Sequence, residues 1–467
     1  MKAASFCLDA DVWAAEFAAH AELPDERLNR RFAEIAATFA EKPLDSIPQA
    51  CGDAHCAKAV YRFFKNKRVT VDGLLRPIAA ATAEHSRGQA IVVAVQDSSS
   101  VNYSTLLSTT GLGPVGTSTQ AKGIYVHTTL ALHAQGVPIG LLHQECWSRP
   151  PEKRDVDPHT LAIEDKESSK WLHGIAGATA ALAHLPDAER PRLIHVMDRE
   201  GDIHEVLETI VGSRDGAVIR SACNRLIAGP IERAHDAVAA AELLGVRVLD
   251  VPARHGQPKR RARLEIRSIR VKITPRSHHA KHADRKPVDC ALVEGREIDA
   301  PAGVEPLHWL LWTTEPAATL TEALEILRIY KLRWRVEDFH LTLKSGCRVE
   351  ALELETADRL TKALTIYSAV AIRIVTMRDL ARQDPDASCT TILSEDAWQA
   401  LWIHMNKKRL TATVKAPTVK QAILWIGRLG GHLNRKSDGM PGVRTLWRGW
   451  RDLTLLVAGY RLARNER

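Results

Sequence analysis

Across 467 residues no apolar run approaches the ~18 that a membrane-spanning helix needs, so a membrane is not the expected partner. The opening "MKAASFCLDADVWAAEF" carries acids where a signal peptide keeps its apolar stretch, and a cytoplasmic protein is expected. Cysteine is sparse: Cys7, Cys51, Cys56, Cys146, Cys223, Cys290, Cys347 and Cys389 include no C-x-x-C pair and no dense framework, which excludes a disulfide scaffold. Cys51 and Cys56, with His55 between them, have no second pair at finger spacing, so they read as reduced thiols rather than zinc ligands. Internal repeats and low-complexity blocks are missing too. What remains is globular: 45% hydrophobic and 26% charged residues, enough for two or three domains. The net charge of +8 and a pI near 9.1 favour a polyanionic partner, with nucleic acid the first choice.

Periodicity divides the chain. "RLNRRFAEIAATFAEK", "AHCAKAVYRFFKN" and "TVDGLLRPIAAATAEH" repeat a helical spacing and predict a small basic helical unit. From Gln89 the texture becomes β-rich. "AIVVAVQD" and "RLIHVMD" are continuously apolar, as strands buried on both faces are, and helical stretches between the strands predict an α/β core. A basic, strand-rich segment follows, in which "RLEIRSIRVKI" alternates as an antiparallel ribbon with Arg and Lys outward. Thr319 and Glu322 then form a predicted capping box that opens the helix containing "RIYKLRWRVEDFHLTLKSG". The pattern beyond about Ser388 is mainly helical.

Three carboxylates stand out by position. Asp97 and Asp198 end the two buried strands, and neighbouring parallel strands would bring them to the edge where open α/β sheets bind ligands. On a helix Tyr330, Arg333, Glu337 and Lys344 fall within roughly 60° of one another, whereas Asp338 falls off the stripe. Such a stripe is either a solvated face or an acid held beside bound phosphate. Three carboxylates without thiolate or imidazole competitors suit Mg²⁺ or Mn²⁺, and the adjacent bases suit a phosphodiester.

These residues resemble those of the DDE transposases of bacterial insertion sequences, the IS-four group that includes the Tn-five transposase. "VQDSSSVNY" is similar to the segment of the first Asp, "MDREGDIH" to that of the second, and Tyr330, Arg333, Glu337 and Lys344 match the Y-(2)-R-(3)-E-(6)-K signature. "YRFFKN", "GLLHQECW", "DKESSKWL", "EPLHWLLWTTEP" and "IGRLGG" extend the similarity over most of the chain. The resemblance implies an α/β ribonuclease-H-like catalytic core over residues 86–385, with a β insertion at about 240–302. A helical DNA-binding domain over 1–85 and a helical dimerisation domain over 386–467 would flank it.

It further implies cut-and-paste transposition: binding of inverted-repeat ends in double-stranded DNA, excision through a hairpin, and joining to target DNA by a homodimer in a nucleoid-associated synaptic complex. Asp97, Asp198 and Glu337 would hold two Mg²⁺ ions, replaceable by Mn²⁺, as the catalytic and metal-binding set. Tyr330, Arg333 and Lys344 would grip phosphates around the scissile bond, and Trp309 and Trp334 would offer a platform for an extruded base. His204 and Arg220 would touch substrate, and Arg27, Arg30 and Arg62 would hold the transposon end. A nuclease of the same core without strand transfer, or a non-catalytic DNA-binding regulator, are the alternatives.

Overall fold

The computed structural model describes residues 10–117, 120–150, 161–251, 259–275, 285–435 and 438–465; Cys7 and the portions 254–258 and 276–284 of the basic segment lie outside them. Five helices open the chain: α1 (Ala10–His20), α2 (Glu26–Glu41), α3 (Ile47–Cys51), α4 (Ala54–Lys65) and α5 (Val71–Ser86). α2, α4 and α5 start where a side chain satisfies a free N–H. Asp25 accepts from Arg27 N, Asp53 from Cys56 N and Thr70 from Gly73 N. The periodic apolar residues turn inward as predicted, with Phe32, Ile35 and Phe39 of α2 and Val60, Phe63 and Phe64 of α4 buried together.

The strands are β1 (Ile91–Asn102), β2 (Gly113–Pro114), β3 (Lys122–His133), β4 (Pro138–Trp147), β5 (Arg192–Met197) and β6 (Gly216–Arg220), with α6 (Lys170–Leu182) before β5 and α7 (His204–Val211) after it. Then come α8 (Ala234–Ala239), β7 (Leu243–Val251), β8 (Arg260–Ile273), β9 (Val288–Ile298) and β10 (His308–Thr313). All ten belong to one sheet in the order β3-β1-β5-β6-β10-β9-β8-β7, with β2 and β4 both paired to β3. Around β1 the sheet has a ribonuclease-H-like layout: β3 and β4 form an antiparallel meander on one side, and β5 and β6 lie parallel on the other. The β insertion extends the same sheet, because β10 pairs antiparallel with β6 (Trp312 opposite Ile219) and β9, β8 and β7 follow antiparallel. Bases of β8 face outward as predicted, but the alternation changes phase, with even positions buried up to Ile266 and odd positions from Val271 on. Ala262, Leu264, Ile266, Val271 and Ile273 are buried, while Arg261, Arg263, Arg270 and Lys272 face out. Two of those outward bases are already paired, Arg263 with Asp299 and Arg270 with Asp289.

The remaining helices are α9 (Leu320–Lys331), α10 (Trp334–Leu341), α11 (Ala357–Gln383), α12 (Glu395–Asn406), α13 (Val419–Leu429) and α14 (Val443–Asn465). The capping box holds: Thr319 Oγ1 accepts from Glu322 N and a Glu322 carboxylate oxygen accepts from Thr319 N. α11 is long and apolar enough to cross a membrane, yet nearly all of that stretch is buried inside the protein. It serves as the axle of the fold. Tyr367 stacks on Phe39 of α2 at 4.4 Å, a pairing worth about 0.5–1.5 kcal/mol beyond its buried area. Lys362 donates to the carbonyls of Phe64 and Asn66, and Ser368 bonds to Gln144 of β4, so helical N-terminus and sheet are clamped to one helix. The cysteines among the described residues are free thiols; Cys290, Cys347 and Cys389 are buried, and Cys223 is exposed.

Candidate active site

β1 and β5 run parallel with Val95 opposite Val196, and continuing that register brings Asp97 level with Asp198 just past the last pair. Asp97 does not end its strand, contrary to the reading of "QDSSS" as strand end. β1 runs on to Asn102 against β3, and Asp97 sits mid-strand at the point where β5 stops. Asp198 does end β5 and caps the following turn, its Oδ1 accepting from Glu200 N at 2.8 Å. α10 packs across this edge and delivers Arg333 and Glu337. Arg333 donates to Asp97 Oδ2 at 3.3 Å and to Glu337 Oε1 at 2.5 Å, with only 12% of its side chain exposed. Burial pushes the Asp97 carboxyl up to about 6, the charges of Asp198 and Glu337 adding to the rise and Ser98 N–H and Arg333 opposing it. Burial raises Asp198 too.

The predicted stripe is broken rather than continuous. α9 closes with three-residue hydrogen bonds, Leu332 N to Ile329 O and Arg333 N to Tyr330 O, before α10 begins. After α10 the chain widens into a π turn over Thr342–Gly346, closed by Cys347 N donating to Thr342 O. Gly346 lies so near the Trp447 ring of α14 that an added Cβ would be 2.2 Å away, which anchors this turn. Rotation at the two breaks spoils the arithmetic of a uniform 100° step. Arg333 and Glu337, within one turn, stay together. Tyr330 points inward, 3% exposed, with Trp309 edge-on at 6.4 Å and the Arg220 guanidinium beside its hydroxyl. Lys344 faces Glu350 and His340, and its ammonium is pushed below its usual range by burial. Asp338 belongs to a different network, paired with Arg378 at 2.7 Å and Arg335 at 3.5 Å.

The other sequence candidates scatter. Trp334 is 41% exposed, and the Arg333 guanidinium carbon lies 5.0 Å from its ring centre; Trp309 is half-buried against the core. Arg220 ends β6 beside Tyr330. His204 is only 5% exposed, its Nε2 is held at 3.0 Å by the Lys286 carbonyl, and burial pushes its ring below the usual histidine range. Arg30 and Arg62 are exposed on α2 and α4, while Arg27 is exposed but bound to Asp25 at 2.8 Å.

Sequence reading missed two buried networks. Ser98 Oγ contacts His127 Nδ1 at 2.9 Å, His127 Nε2 contacts Gln96 Oε1 at 3.1 Å, and Gln96 Nε2 contacts His195 Nδ1 at 3.3 Å. The signal was present as Gln96, His127 and His195, polar residues inside three largely apolar strands. The second is Arg378 with Asp379 and Asp338, joined by Arg335, which fixes α10 to α11. Asp202 was missed as well. It clamps the loop after β6 by accepting from Ala222 N, Cys223 N and Arg225 Nε.

A hard divalent cation fits this donor set. Asp97, Asp198 and Glu337 supply oxygen only, and two half-buried carboxyls, Asp97 raised by burial and the Asp198 and Glu337 charges and Asp198 by burial and the Glu200 charge, are stabilised by added positive charge. In the present arrangement no three Asp, Glu, His or Cys side chains among the described residues are grouped closely enough to hold such an ion.

Asp97 and Asp198 thus stand at the mouth of parallel strands in a ribonuclease-H-like sheet, with Glu337 brought to the same edge by α10. Three family models match the chain: transposase DNA-binding over residues 10–69, transposase DDE domain over 233–373, and transposase Tn5 dimerisation domain over 369–467. The chain belongs to the Tn5-like DDE transposases. It therefore carries regions for DNA binding and for self-association, and its DDE domain is of a kind that uses divalent metal ions. The DDE match includes Trp309, Tyr330, Arg333, Trp334, Glu337 and Lys344; Asp97 and Asp198 precede it, and Arg333 links Asp97 to Glu337.

Proposed function

We propose that this transposase performs cut-and-paste transposition at Asp97, Asp198 and Glu337. The observation that supports it is the level placement of Asp97 and Asp198 on neighbouring parallel strands, with α10 bringing Glu337 to the same guanidinium. These carboxylates would hold two Mg²⁺ ions, or Mn²⁺ in their place. When bound, such ions supply an activated attacking oxygen and stabilise the leaving oxygen of a phosphodiester. The chain's own side chains do the positioning. Arg333 carries the guanidinium nearest the acids and would pair with a scissile-strand phosphate, since planar bidentate donation suits phosphate. Arg220 and the Tyr330 hydroxyl beside it would hold the next phosphate, and Lys344 one further along. Trp334, exposed next to Glu337, is better placed than Trp309 to stack an extruded base, which is worth roughly 1–3 kcal/mol. Water first cuts one strand; the freed 3′-hydroxyl then attacks the opposite strand and closes a hairpin, which is reopened before the 3′ ends join target DNA. Residues 1–85 would bind the end repeats, 86–385 carry the chemistry, and 386–467 pair two copies.

The test is incubation of the purified protein with duplex copied from the flanks of its own gene. Mg²⁺ and Mn²⁺ should support nicking and hairpin products on denaturing gels, whereas Ca²⁺ should permit binding without turnover. Activity that survives thorough chelation sinks the metal assignment; nicking without joined products reduces the protein to a nuclease.

The exposed bases of the first helices give a separate expected result. Arg62→Ala should weaken binding of end DNA and lower the slope of log K against log salt by about one. Titration at several salt concentrations measures it, and an unchanged slope would make Arg62 part of a solvated face.

A further inference from the structure

We infer that Arg333 is a tethered cation standing in the place of the metal, and that DNA unlocks the metal site by drawing this guanidinium onto a phosphate. The inference rests on the metal-binding reading of Asp97, Asp198 and Glu337 given above. Four observations carry it. One guanidinium bridges Asp97 and Glu337, two carboxylates from different elements of the chain. Its side chain is nearly buried while Glu337 is 42% exposed, so the positive group sits deeper than one of its acids. Its Nε is buried without a hydrogen-bond partner, which leaves donor capacity that the present pose does not use. Finally, the acids around it are not grouped for a metal in this arrangement.

A guanidinium and a divalent cation held on the same two carboxylates repel each other in this partly buried site. Metal binding therefore disfavours the present pose of Arg333, and the group is released more readily when another anion is at hand. A phosphodiester beside the acids supplies one with matching planar geometry. Metal and DNA then bind with positive coupling, and linkage requires the effect to be equal in both directions. The arrangement keeps the DNA-free transposase short of metal, so that hydrolytic chemistry is assembled only on a bound duplex.

The test measures Mn²⁺ binding to the full chain by calorimetry and by the paramagnetic signal of free ion, without any turnover. Arg333→Gln removes the charge while keeping much of the side chain over Trp334. In the absence of DNA it should bind Mn²⁺ more tightly than wild type, on the order of tenfold, a typical coupling between sites. Wild type should gain a similar factor when the flank duplex is added, and Mn²⁺ should tighten wild-type binding of that duplex equally. The variant should show little of either gain. Equal Mn²⁺ affinity for variant and wild type, together with no effect of duplex on wild type, overturns the inference while leaving the carboxylates as ligands. Mn²⁺ binding that persists unchanged in Asp97→Asn overturns the metal reading itself. Should Arg333→Gln fail to fold, the duplex-dependent change in wild-type affinity decides alone.

Discussion

Asp97→Ala, Asp198→Ala and Glu337→Ala are each expected to lower cleavage of flank duplex by on the order of a thousandfold or more, while end binding stays largely intact. Stabilising charge on the attacking and leaving oxygens is worth several kcal/mol, and each ~1.4 kcal/mol is tenfold in rate. Loss of any one carboxylate breaks the set, so the three effects should not add. Single-turnover cleavage on denaturing gels, with gel-shift binding in parallel, measures both quantities. More than a few per cent of wild-type cleavage in one variant would exclude that carboxylate. Asp97→Ala and Glu337→Ala each free one end of the Arg333 bridge, so their binding of DNA should hold at least as well as that of Asp198→Ala.

The second large effect is on stability. Asp379→Ala should cost about 3–5 kcal/mol, because it leaves the buried Arg378 guanidinium short of a partner and loosens Arg335 as well. Both ends of this pair are almost fully buried, so solvent screens it little. Arg378 would keep only Asp338, on α10, and the helix bearing Glu337 would lose part of its anchor to α11. Denaturant unfolding followed by tryptophan fluorescence reads the loss. A cost below about 1 kcal/mol would class the pair with surface ion pairs. Replacing both members by apolar residues of similar volume should recover much of the stability, since a buried pair often exchanges evenly for packing.

Much of this architecture is legible in the sequence because strand and helix periods, caps and the basic alternation of β8 are local signals. "AIVVAVQD" and "RLIHVMD" read as buried strands because both faces are apolar, and parallel pairing with a shared edge follows from the intervening helices. The local reading fails where tertiary contacts override it. The serines after Asp97 look like a turn, but β3 offers them a strand to pair with, and β1 simply continues. The broken helix at Leu332 and the π turn at Thr342–Gly346 carry no proline or glycine signal at their starts; the second is fixed by Trp447, about a hundred residues away in sequence. His204 was unreadable for a similar reason: Lys286, which holds it, is distant along the chain. Arg333 was singled out as a phosphate ligand, yet its bridge between two acids depends on the meeting of β1 and α10.

The insertion's junction with the core has a consequence for how a rod-shaped molecule can lie on the protein. Because β10 zips onto β6, β8 is five neighbours away from β1 in one unbroken sheet. Each neighbour adds a twist of roughly 20–25°, so β8 is turned by about 100–125° relative to the strand bearing Asp97. Arg261 and Arg263 project from one face of β8 and Arg270 and Lys272 from the other, because the buried residues change from even to odd positions along the strand. The basic strand thus lies nearly crosswise to the carboxylate edge and carries charge on both faces, so a rod lying along one face of the sheet meets only one of the two basic pairs.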